Sequence, residues 1–342
     1  MRLPRCSWLP TRPPISPERR SAFPAAWASA AEMDSADDIA ITPVDRAIER
    51  LRTIYRGWTR ETSVAQMRDD WDAAFAGCSV PVTCQPVSAG EVDGEWLVPT
   101  DAPHDKVILY FHGGGFRIGS VASHRDLAAR IADASGCRVL SINYRLAPEH
   151  RFPAALDDAL IAYRYLREQG LHPADIAFAG DSAGGNLVLC TMLAARDRGL
   201  PLPAAGALMS PWTDLTASGA SYQSRAEADP IHQRAMILAL ARNYLGKDGD
   251  VSNPLASPLY ADLSRLPPLL IQVGDRETVR DDSTELAARA RAAAVNVELQ
   301  VFDGMIHVFQ MFPEIPQARE AIASLAAFLR NHLHIGHQRA PQ

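Results

Sequence analysis

Three features that the sequence lacks narrow the class of protein. No apolar run reaches the roughly 18 residues that a membrane-spanning helix needs, so we predict no stable membrane insertion. Basic residues are not in excess: 34 Lys and Arg stand against 40 Asp and Glu, and the net charge is −6. Such a chain has no general attraction to phosphate backbones, and nucleic acid is therefore not an expected partner.

The cysteines also lack a pattern. Their number, five, is odd, and they contain no C-x-x-C pair. This spacing suits neither a disulfide framework nor a zinc site, and free thiols in a reducing compartment are the simplest interpretation. It favours a cytoplasmic protein. The five are Cys6, Cys78, Cys84, Cys137 and Cys190.

Residues 1–32 lack the clean apolar centre of a secretory signal. The segment holds six prolines among scattered arginines, and Pro24 interrupts the small apolar stretch Ser21–Ala31. We predict a disordered N-terminal extension, or a reading frame that begins too early with Met33 as its natural start. A targeting peptide is the third interpretation.

From residue 39 to about residue 75 the apolar residues recur at helical spacing. Asp45–Gly57 is predicted as a helix with Asp45 as its N-cap, and a second helix follows it. Two helices ahead of any strand signal indicate a cap rather than a core, so residues 33–78 are interpreted as a helical cap segment.

From residue 79 the pattern changes to strands. Ser79–Val87 and Gly94–Val98 are typical of antiparallel edge strands. Mostly apolar strands follow at Val107–Phe111, Val139–Ile142, Ile176–Ala179, Ala205–Met209, Leu269–Val273 and Val297–Phe302. Predicted helices separate most of them, at His124–Ala134, Ala154–Gln169, Gly185–Arg198 and Asp281–Ala294. This alternation over residues 79–337 predicts an α/β fold with a mostly parallel eight-stranded sheet flanked by helices.

One interval breaks the alternation. Residues 212–255 carry no strand signal and contain a helix-like stretch, Gln233–Leu245. Active sites of open α/β sheets form outside the carboxyl ends of the strands. We therefore interpret this interval as a second cap insertion that contributes pocket wall.

The sequence Gly180-Asp181-Ser182-Ala183-Gly184-Gly185 matches G-x-S-x-G between a predicted strand and a predicted helix. In that setting a strained turn lifts the serine hydroxyl clear of the sheet, and the flanking glycines avoid Cβ clashes. The helix amino end favours developing negative charge. Ser182 is the predicted nucleophile.

A second glycine-rich stretch, His112-Gly113-Gly114-Gly115-Phe116, directly follows the strand Val107–Phe111. A serine hydrolase needs preorganised N–H donors aimed at the oxyanion of its tetrahedral intermediate, and amides in a loop free of side chains can supply them. The predicted oxyanion-hole donors are the amides of Gly114, Gly115 and Ala183.

These motifs, together with Y-R-L-A-P-E at Tyr144–Glu149, resemble the hormone-sensitive lipase-like family of bacterial esterases within the α/β-hydrolases. The likeness runs from about Val107 to Phe328. It implies an α/β-hydrolase fold with a small helical cap, hydrolysis of small-molecule carboxylic esters with short acyl chains, and a homodimer.

The base and the acid follow the nucleophile in this fold, in the order acid then histidine. His307 lies in Asp303-Gly304-Met305-Ile306-His307-Val308-Phe309 after the last predicted strand, and the family has a similar D-G-x-x-H-x-F segment. His307 is the predicted general base. Aligning Arg280-Asp281-Asp282 on the family's R-D-E puts Glu277 at the acid position, where most members carry aspartate. Asp275 is the alternative acid.

Other residues carry weaker signals. His112 is expected to be a structural hydrogen-bonding side chain, and Arg145 and Glu149 are expected to pair with each other below the oxyanion loop. The aromatic candidates for the pocket are Phe116, Trp212 and Tyr222. The trailing histidines His332, His334 and His337 are expected to be exposed, with a weak metal site as the minor alternative.

The predicted chemistry is a two-step acyl transfer through Ser182, His307 and Glu277, which requires no metal or organic cofactor. A lactone, carbamate or amide hydrolase on the same triad is the nearest alternative, because all share a tetrahedral intermediate. A non-catalytic ligand-binding homologue, such as the plant gibberellin receptor, is the alternative from another class. The presence of both Ser182 and His307 argues against it.

Overall fold

A computed structural model describes residues 41–335. The predicted extension at residues 1–32 and His337 lie outside the described residues. Strands and helices alternate along the described part much as the sequence pattern predicts. The strands are β1 (Val82–Ala89), β2 (Val92–Pro99), β3 (Val107–Phe111), β4 (Arg138–Ile142), β5 (Ile176–Asp181), β6 (Gly206–Met209), β7 (Leu269–Gly274) and β8 (Val297–Phe302).

The α-helices of the described residues vary from one turn to about five. They are α1 (Pro43–Gly57), α2 (Val64–Phe75), α3 (Val121–Ser135), α4 (Ala154–Glu168), α5 (Ala183–Asp197), α6 (Ser221–Ser224), α7 (Arg234–Leu245), α8 (Arg280–Ala292) and α9 (Pro316–His332). None of them combines the length and the apolar character that crossing a membrane requires.

The strands form one eight-stranded sheet in the order β1-β2-β4-β3-β5-β6-β7-β8. Only the β1–β2 and β2–β4 pairs are antiparallel, and every later pair is parallel. The prediction of a mostly parallel eight-stranded sheet is confirmed. The central strands β3 and β5 are buried along their whole length because helices cover both faces. Helices α4, α5 and α8 pack on one face, and α3 and α9 pack on the other.

The start of α1 differs from the prediction, and the assignment of Asp45 as its N-cap was wrong. Thr42 caps the helix, Pro43 occupies the first position, and Asp45 lies at the third. The Thr42 hydroxyl accepts the Asp45 amide proton at 3.1 Å, and the Asp45 carboxylate accepts the Thr42 amide proton at 3.0 Å. This reciprocal pair satisfies two free amides, and proline suits a position whose N–H has no partner.

Helices α1 and α2 pack against the loops that follow β3 and β8. Trp71 and Phe75 of α2 join Ile118, Ile306 and Phe312 in one apolar cluster. This cluster ties the N-terminal helices to the edge of the sheet at which the parallel strands end. The division of the chain into a core with two cap segments stays a prediction.

Candidate active site

The turn between β5 and α5 holds Ser182 in an unusual backbone conformation. Its φ is 51° and its ψ is −116°, a strained region for a residue with a side chain. The Ser182 amide donates to the Met209 carbonyl at 2.8 Å, which ties the turn to β6. A Cβ on Gly180 would lie 2.5 Å from the Gly184 carbonyl oxygen, so the flanking glycines allow the sharp turn.

Three side chains that are distant in sequence meet at this turn. The His307 Nε2 atom lies 2.8 Å from the Ser182 Oγ atom, and its Nδ1 atom lies 2.7 Å from the Glu277 Oε2 atom. Glu277 is fully buried, and its Oε1 atom accepts the Ser210 hydroxyl at 2.7 Å and the Gly274 amide at 2.5 Å. The carboxylate therefore has one oxygen held by the scaffold and the other directed at the imidazole.

Sheet topology explains this convergence. Ser182, Glu277 and His307 follow β5, β7 and β8 respectively, and these strands are parallel members of one sheet. Their carboxyl ends therefore meet at the same edge.

The two candidate acids occupy different positions. The Asp275 Oδ1 atom accepts the Gly304 amide at 2.6 Å, which closes the loop after β7 against the loop after β8. Glu277, not Asp275, is the carboxylate that the structure brings to His307.

Five influences act on the pKa of His307. Burial alone lowers it, whereas the charge and hydrogen bond of Glu277 and the more distant charges of Asp229 and Asp181 raise it. The balance holds the pKa above its ordinary value of 6.5. A raised pKa makes the neutral imidazole a stronger proton acceptor, which suits the predicted role of general base.

Hydrogen bonds to the Asp181 carboxylate fix the start of the predicted oxyanion loop. The Asp181 Oδ1 atom accepts the Gly113 amide at 3.0 Å and the Tyr110 hydroxyl at 2.5 Å. No hydrogen bond uses the Gly114 or Gly115 amide as a donor among residues 41–335. The backbone φ of Gly114 is 113°, and a Cβ there would collide with the Ile118 carbonyl, so the loop requires glycine at this position.

The third predicted donor, the Ala183 amide, belongs to the first residue of α5. Amides in the first turn of a helix have no partner within the helix. The Gly114, Gly115 and Ala183 amides are thus suited to an oxyanion, although only the two glycines line the cavity described below.

His112 has the structural environment that the sequence suggests. Its Nδ1 atom lies 2.7 Å from the Gly113 carbonyl oxygen, and its ring stacks on Tyr144 with centroids 4.2 Å apart. Burial lowers the pKa of His112 to about 3, so the ring is neutral at physiological pH.

The expected ion pair between Arg145 and Glu149 was wrong. Arg145 pairs with the buried Asp158 of α4 at 2.7 Å, and Glu149 pairs with Arg68 of α2 at 2.7 Å. Residues four apart face each other on a helix, but residues 145–149 are not helical, so their spacing does not bring the charges together.

A cavity of about 300 Å³ lies above Ser182 and His307. Its lining is mostly apolar and comes from the N-terminal helices and from the predicted insertion. The apolar lining residues from these segments include Leu51, Tyr55, Trp58, Met67, Trp71, Ile231, Met236, Ile237 and Leu240. Of the three aromatic candidates, Trp212 lines the cavity, whereas Phe116 and Tyr222 are buried in the core.

Sequence reasoning missed a second imidazole, which lies beside that of His307. The ring of His232 meets that of His307 edge-to-face, with centroids 4.4 Å apart. Burial and the neighbouring His307 lower the pKa of His232 to about 4. The Asp229 carboxylate lies 3.8 Å from the His232 Nδ1 atom and accepts the Thr278 amide at 2.8 Å. No motif marks this pair, because packing of residues 229–232 against the loop after β7 creates it.

The trailing histidines give no metal site in the described part. His332 ends α9, and no group of three His, Cys, Asp or Glu side chains among residues 41–335 is arranged to hold a metal ion. No disulfide joins any of the cysteines within residues 41–335, which are Cys78, Cys84, Cys137 and Cys190.

Comparison with known proteins agrees with this architecture. A family model described as the alpha/beta hydrolase fold matches residues 108–311. An acetyl-hydrolase of Streptomyces hygroscopicus is 41% identical over 276 residues, which cover 80% of this chain and 91% of that protein. The carboxylesterase NlhH of Mycobacterium tuberculosis is 37% identical over 237 residues, 67% of this chain and 74% of the relative.

The solved structures agree as well. The crystal structure of an esterase from the bacterial hormone-sensitive lipase family superposes with a TM-score of 0.81 at 42% identity, covering 85% of this chain and 98% of that one. The chain therefore belongs to the α/β-hydrolase fold family, among the bacterial hormone-sensitive lipase-like esterases. Its enzyme class is that of a carboxylic-ester hydrolase.

Proposed function

We propose that this enzyme hydrolyses short- to medium-chain carboxylic esters through a Ser182–His307–Glu277 triad and an acyl-enzyme intermediate. The observation that carries the proposal is the continuous chain of two short hydrogen bonds, 2.8 Å from Ser182 to His307 and 2.7 Å from His307 to Glu277. Nucleophile, base and orienting acid are each within hydrogen-bond reach of the next.

In the first step His307 Nε2 accepts the Ser182 hydroxyl proton while Oγ attacks the ester carbonyl carbon. The carbonyl oxygen becomes an oxyanion that the amides of Gly114, Gly115 and Ala183 bind. Glu277 holds the imidazole in one tautomer and stabilises the imidazolium that forms. His307 then protonates the alkoxide, and the alcohol leaves.

In the second step His307 takes a proton from water, which attacks the acyl-enzyme carbonyl. The tetrahedral intermediate collapses, Ser182 recovers its proton from the imidazolium, and the carboxylic acid is released.

The preference for short and medium chains is proposed from the pocket. A cavity of about 300 Å³ is at the lower end of the roughly 300–1,000 Å³ that ligand pockets span. Its apolar walls suit an alkyl chain. The name of the Streptomyces relative, an acetyl-hydrolase, points to small acyl groups in the same way.

The test is a series of p-nitrophenyl esters from acetate to palmitate, with Ser182→Ala as the blank. We expect the highest kcat/KM between acetate and hexanoate, and a loss of kcat on the order of 10⁶-fold in Ser182→Ala, as in measured triads. Matched lactone and amide substrates in the same series separate the alternative hydrolase activities. No turnover of any member by folded wild-type protein would contradict the proposal and favour a ligand-binding role.

A further inference from the structure

Arg117, at the cavity above Ser182, has a side chain that makes no hydrogen bond or ion pair with any other residue in 41–335. It follows Gly114 by three residues on the oxyanion loop, and its amide donates to the Gly114 carbonyl at 3.1 Å. Arg117 is among the residues that line the cavity, together with Ser182 and His307. The Nε atom is shielded from solvent and has no hydrogen-bond partner, and the guanidinium makes no ion pair with any residue in 41–335.

Neighbouring arginines are bound differently. Each is held by a carboxylate at 2.7 Å: Arg68 by Glu149, Arg125 by Glu95 and Arg145 by Asp158. A buried N–H that lacks an acceptor costs free energy, so a native protein normally supplies one. Arg117 is therefore an exception within its own neighbourhood.

Neither carboxylate that lines the cavity, Asp181 or Asp229, forms an ion pair with Arg117, and other donors occupy their oxygens. Asp181 accepts from Tyr110 and Gly113, and its second oxygen lies 3.4 Å from His124 Nε2. Asp229 accepts the amides of Ile231 and His232 and both the amide and the hydroxyl of Thr278. The guanidinium is left as the one permanently cationic group among the lining residues of the described chain.

We propose that Arg117 binds a carboxylate on the substrate, so that the preferred substrates are esters that carry a free carboxylate on the acyl or the alcohol portion. A planar guanidinium can donate two parallel hydrogen bonds to a carboxylate. The apolar remainder of the wall suits the methylene groups between the ester and that carboxylate. This inference rests on the proposed ester hydrolysis at Ser182 and names its substrate class.

The experiment compares matched ester pairs in a pH-stat. In the acyl arm, the monomethyl esters of succinate, glutarate and adipate are each paired with the monoamide in which CONH₂ replaces the carboxylate. In the alcohol arm, acetoxyacetate is paired with acetoxyacetamide. The readout is the charge preference, defined as kcat/KM for the carboxylate divided by kcat/KM for its amide, and the arm with the larger preference identifies the side that Arg117 binds.

We expect a wild-type charge preference well above 1, expressed mainly in KM. Arg117→Gln should lower it by about 10- to 100-fold, the value of a charge-assisted hydrogen bond. Arg117→Lys should give an intermediate preference, because lysine keeps the charge without the planar pair of donors. Arg242→Gln is the matched control, since it removes an exposed arginine of α7 that does not line the cavity and should leave the preference unchanged.

A charge preference that stays within about twofold of wild type in both Arg117 variants would overturn the inference. If the variants do not fold, competitive inhibition of the wild-type enzyme tests the inference instead. Glutarate should inhibit p-nitrophenyl butyrate hydrolysis more strongly than glutaramide. Equal inhibition by the two compounds would overturn the inference. Failure of the proposed function is distinguishable, because the wild type would then not hydrolyse p-nitrophenyl butyrate.

Discussion

Two regions surround the proposed reaction centre: a floor that carries the predicted triad and a mostly apolar wall. The catalytic floor consists of the loops that follow β3, β5, β7 and β8. The pocket wall consists of α1, α2, α7 and residues 225–233. In the floor, Glu277 makes three hydrogen bonds, to His307, Ser210 and Gly274. In the wall, the Trp71 Nε1 and His232 Nδ1 atoms are buried and have no hydrogen-bond partner within residues 41–335.

This difference suggests that the floor carries out the reaction and the wall selects the substrate. The hydrogen bonds to Glu277 hold it in place beside His307, so this pair needs little rearrangement as charge develops in the transition state. A mostly apolar wall contributes volume and surface, which decide which ester fits. Floor substitutions should therefore lower kcat for every ester, whereas wall substitutions should change the relative kcat/KM of different esters.

After Ser182→Ala, the floor variant expected to lose the most kcat is Glu277→Gln. The amide cannot stabilise the imidazolium and favours the wrong tautomer of His307, so kcat should fall about 10⁴-fold on all esters, as for the equivalent change in a measured triad. Steady-state kinetics on p-nitrophenyl acetate and hexanoate measure it.

The matched control is Asp275→Asn. Its carboxylate accepts the Gly304 amide and makes no contact with His307, so its kcat should fall far less than that of Glu277→Gln. A larger loss of kcat in Asp275→Asn than in Glu277→Gln would assign the acid to Asp275 and would contradict the proposed triad.

The next prediction concerns pH. His307 must be neutral to act as a base, and its pKa is raised above 6.5, so kcat/KM should be lost as the pH falls through a midpoint above 6.5. Asp229→Asn removes one of the negative charges that raise this pKa, and the acid limb should therefore move to lower pH.

The groups facing His307 in this experiment are Glu277, Asp181, Asp229 and His232. Asp248→Asn, which changes an exposed carboxylate outside the cavity lining, is the charge-matched control and should leave the limb in place. An acid limb shifted equally by both variants would show that net charge, rather than Asp229, controls the imidazole.

The smallest expected effect tests the wall. Leu240 lines the cavity and packs close to Gly115 on the oxyanion loop. Leu240→Ala should raise kcat/KM for octanoate relative to acetate by roughly tenfold, the value of one or two methylene contacts. Leu238→Ala on the same helix removes a partly buried leucine that does not line the cavity and should leave the ratio unchanged. An equal loss of kcat/KM on both esters would show that Leu240 supports the reaction itself, as the floor residues do, rather than chain-length selection.

The same division explains what the sequence could predict. Short sequence motifs contain Ser182, the Gly114–Gly115 loop and His307. The glycines of these motifs meet local backbone requirements, so the sequence alone predicts where these residues lie. The strand–helix alternation predicts the sheet for the same local reason. Glu277 followed from alignment of a neighbouring motif, although family members more often carry aspartate.

The wall could not be predicted in this way. His232 and Asp229 owe their positions beside His307 to tertiary packing of a segment without a motif, and Arg145 and Glu149 find their partners on α4 and α2. The wrong N-cap assignment of α1 is different, because neighbouring residues alone determine where that helix starts. There the combination of Thr42, Pro43 and Asp45 predicts the capping box once the proline is assigned to the first helical position.

The central claim is that Ser182 is a nucleophile activated by His307. Covalent labelling with a fluorophosphonate followed by mass spectrometry of intact protein and peptides tests it most directly. The account predicts one phosphonyl group per chain, located on Ser182, with activity lost in step with labelling and with little labelling of His307→Gln. Full activity after prolonged exposure, or inactivation by an adduct on another residue while Ser182 stays unmodified, would contradict it.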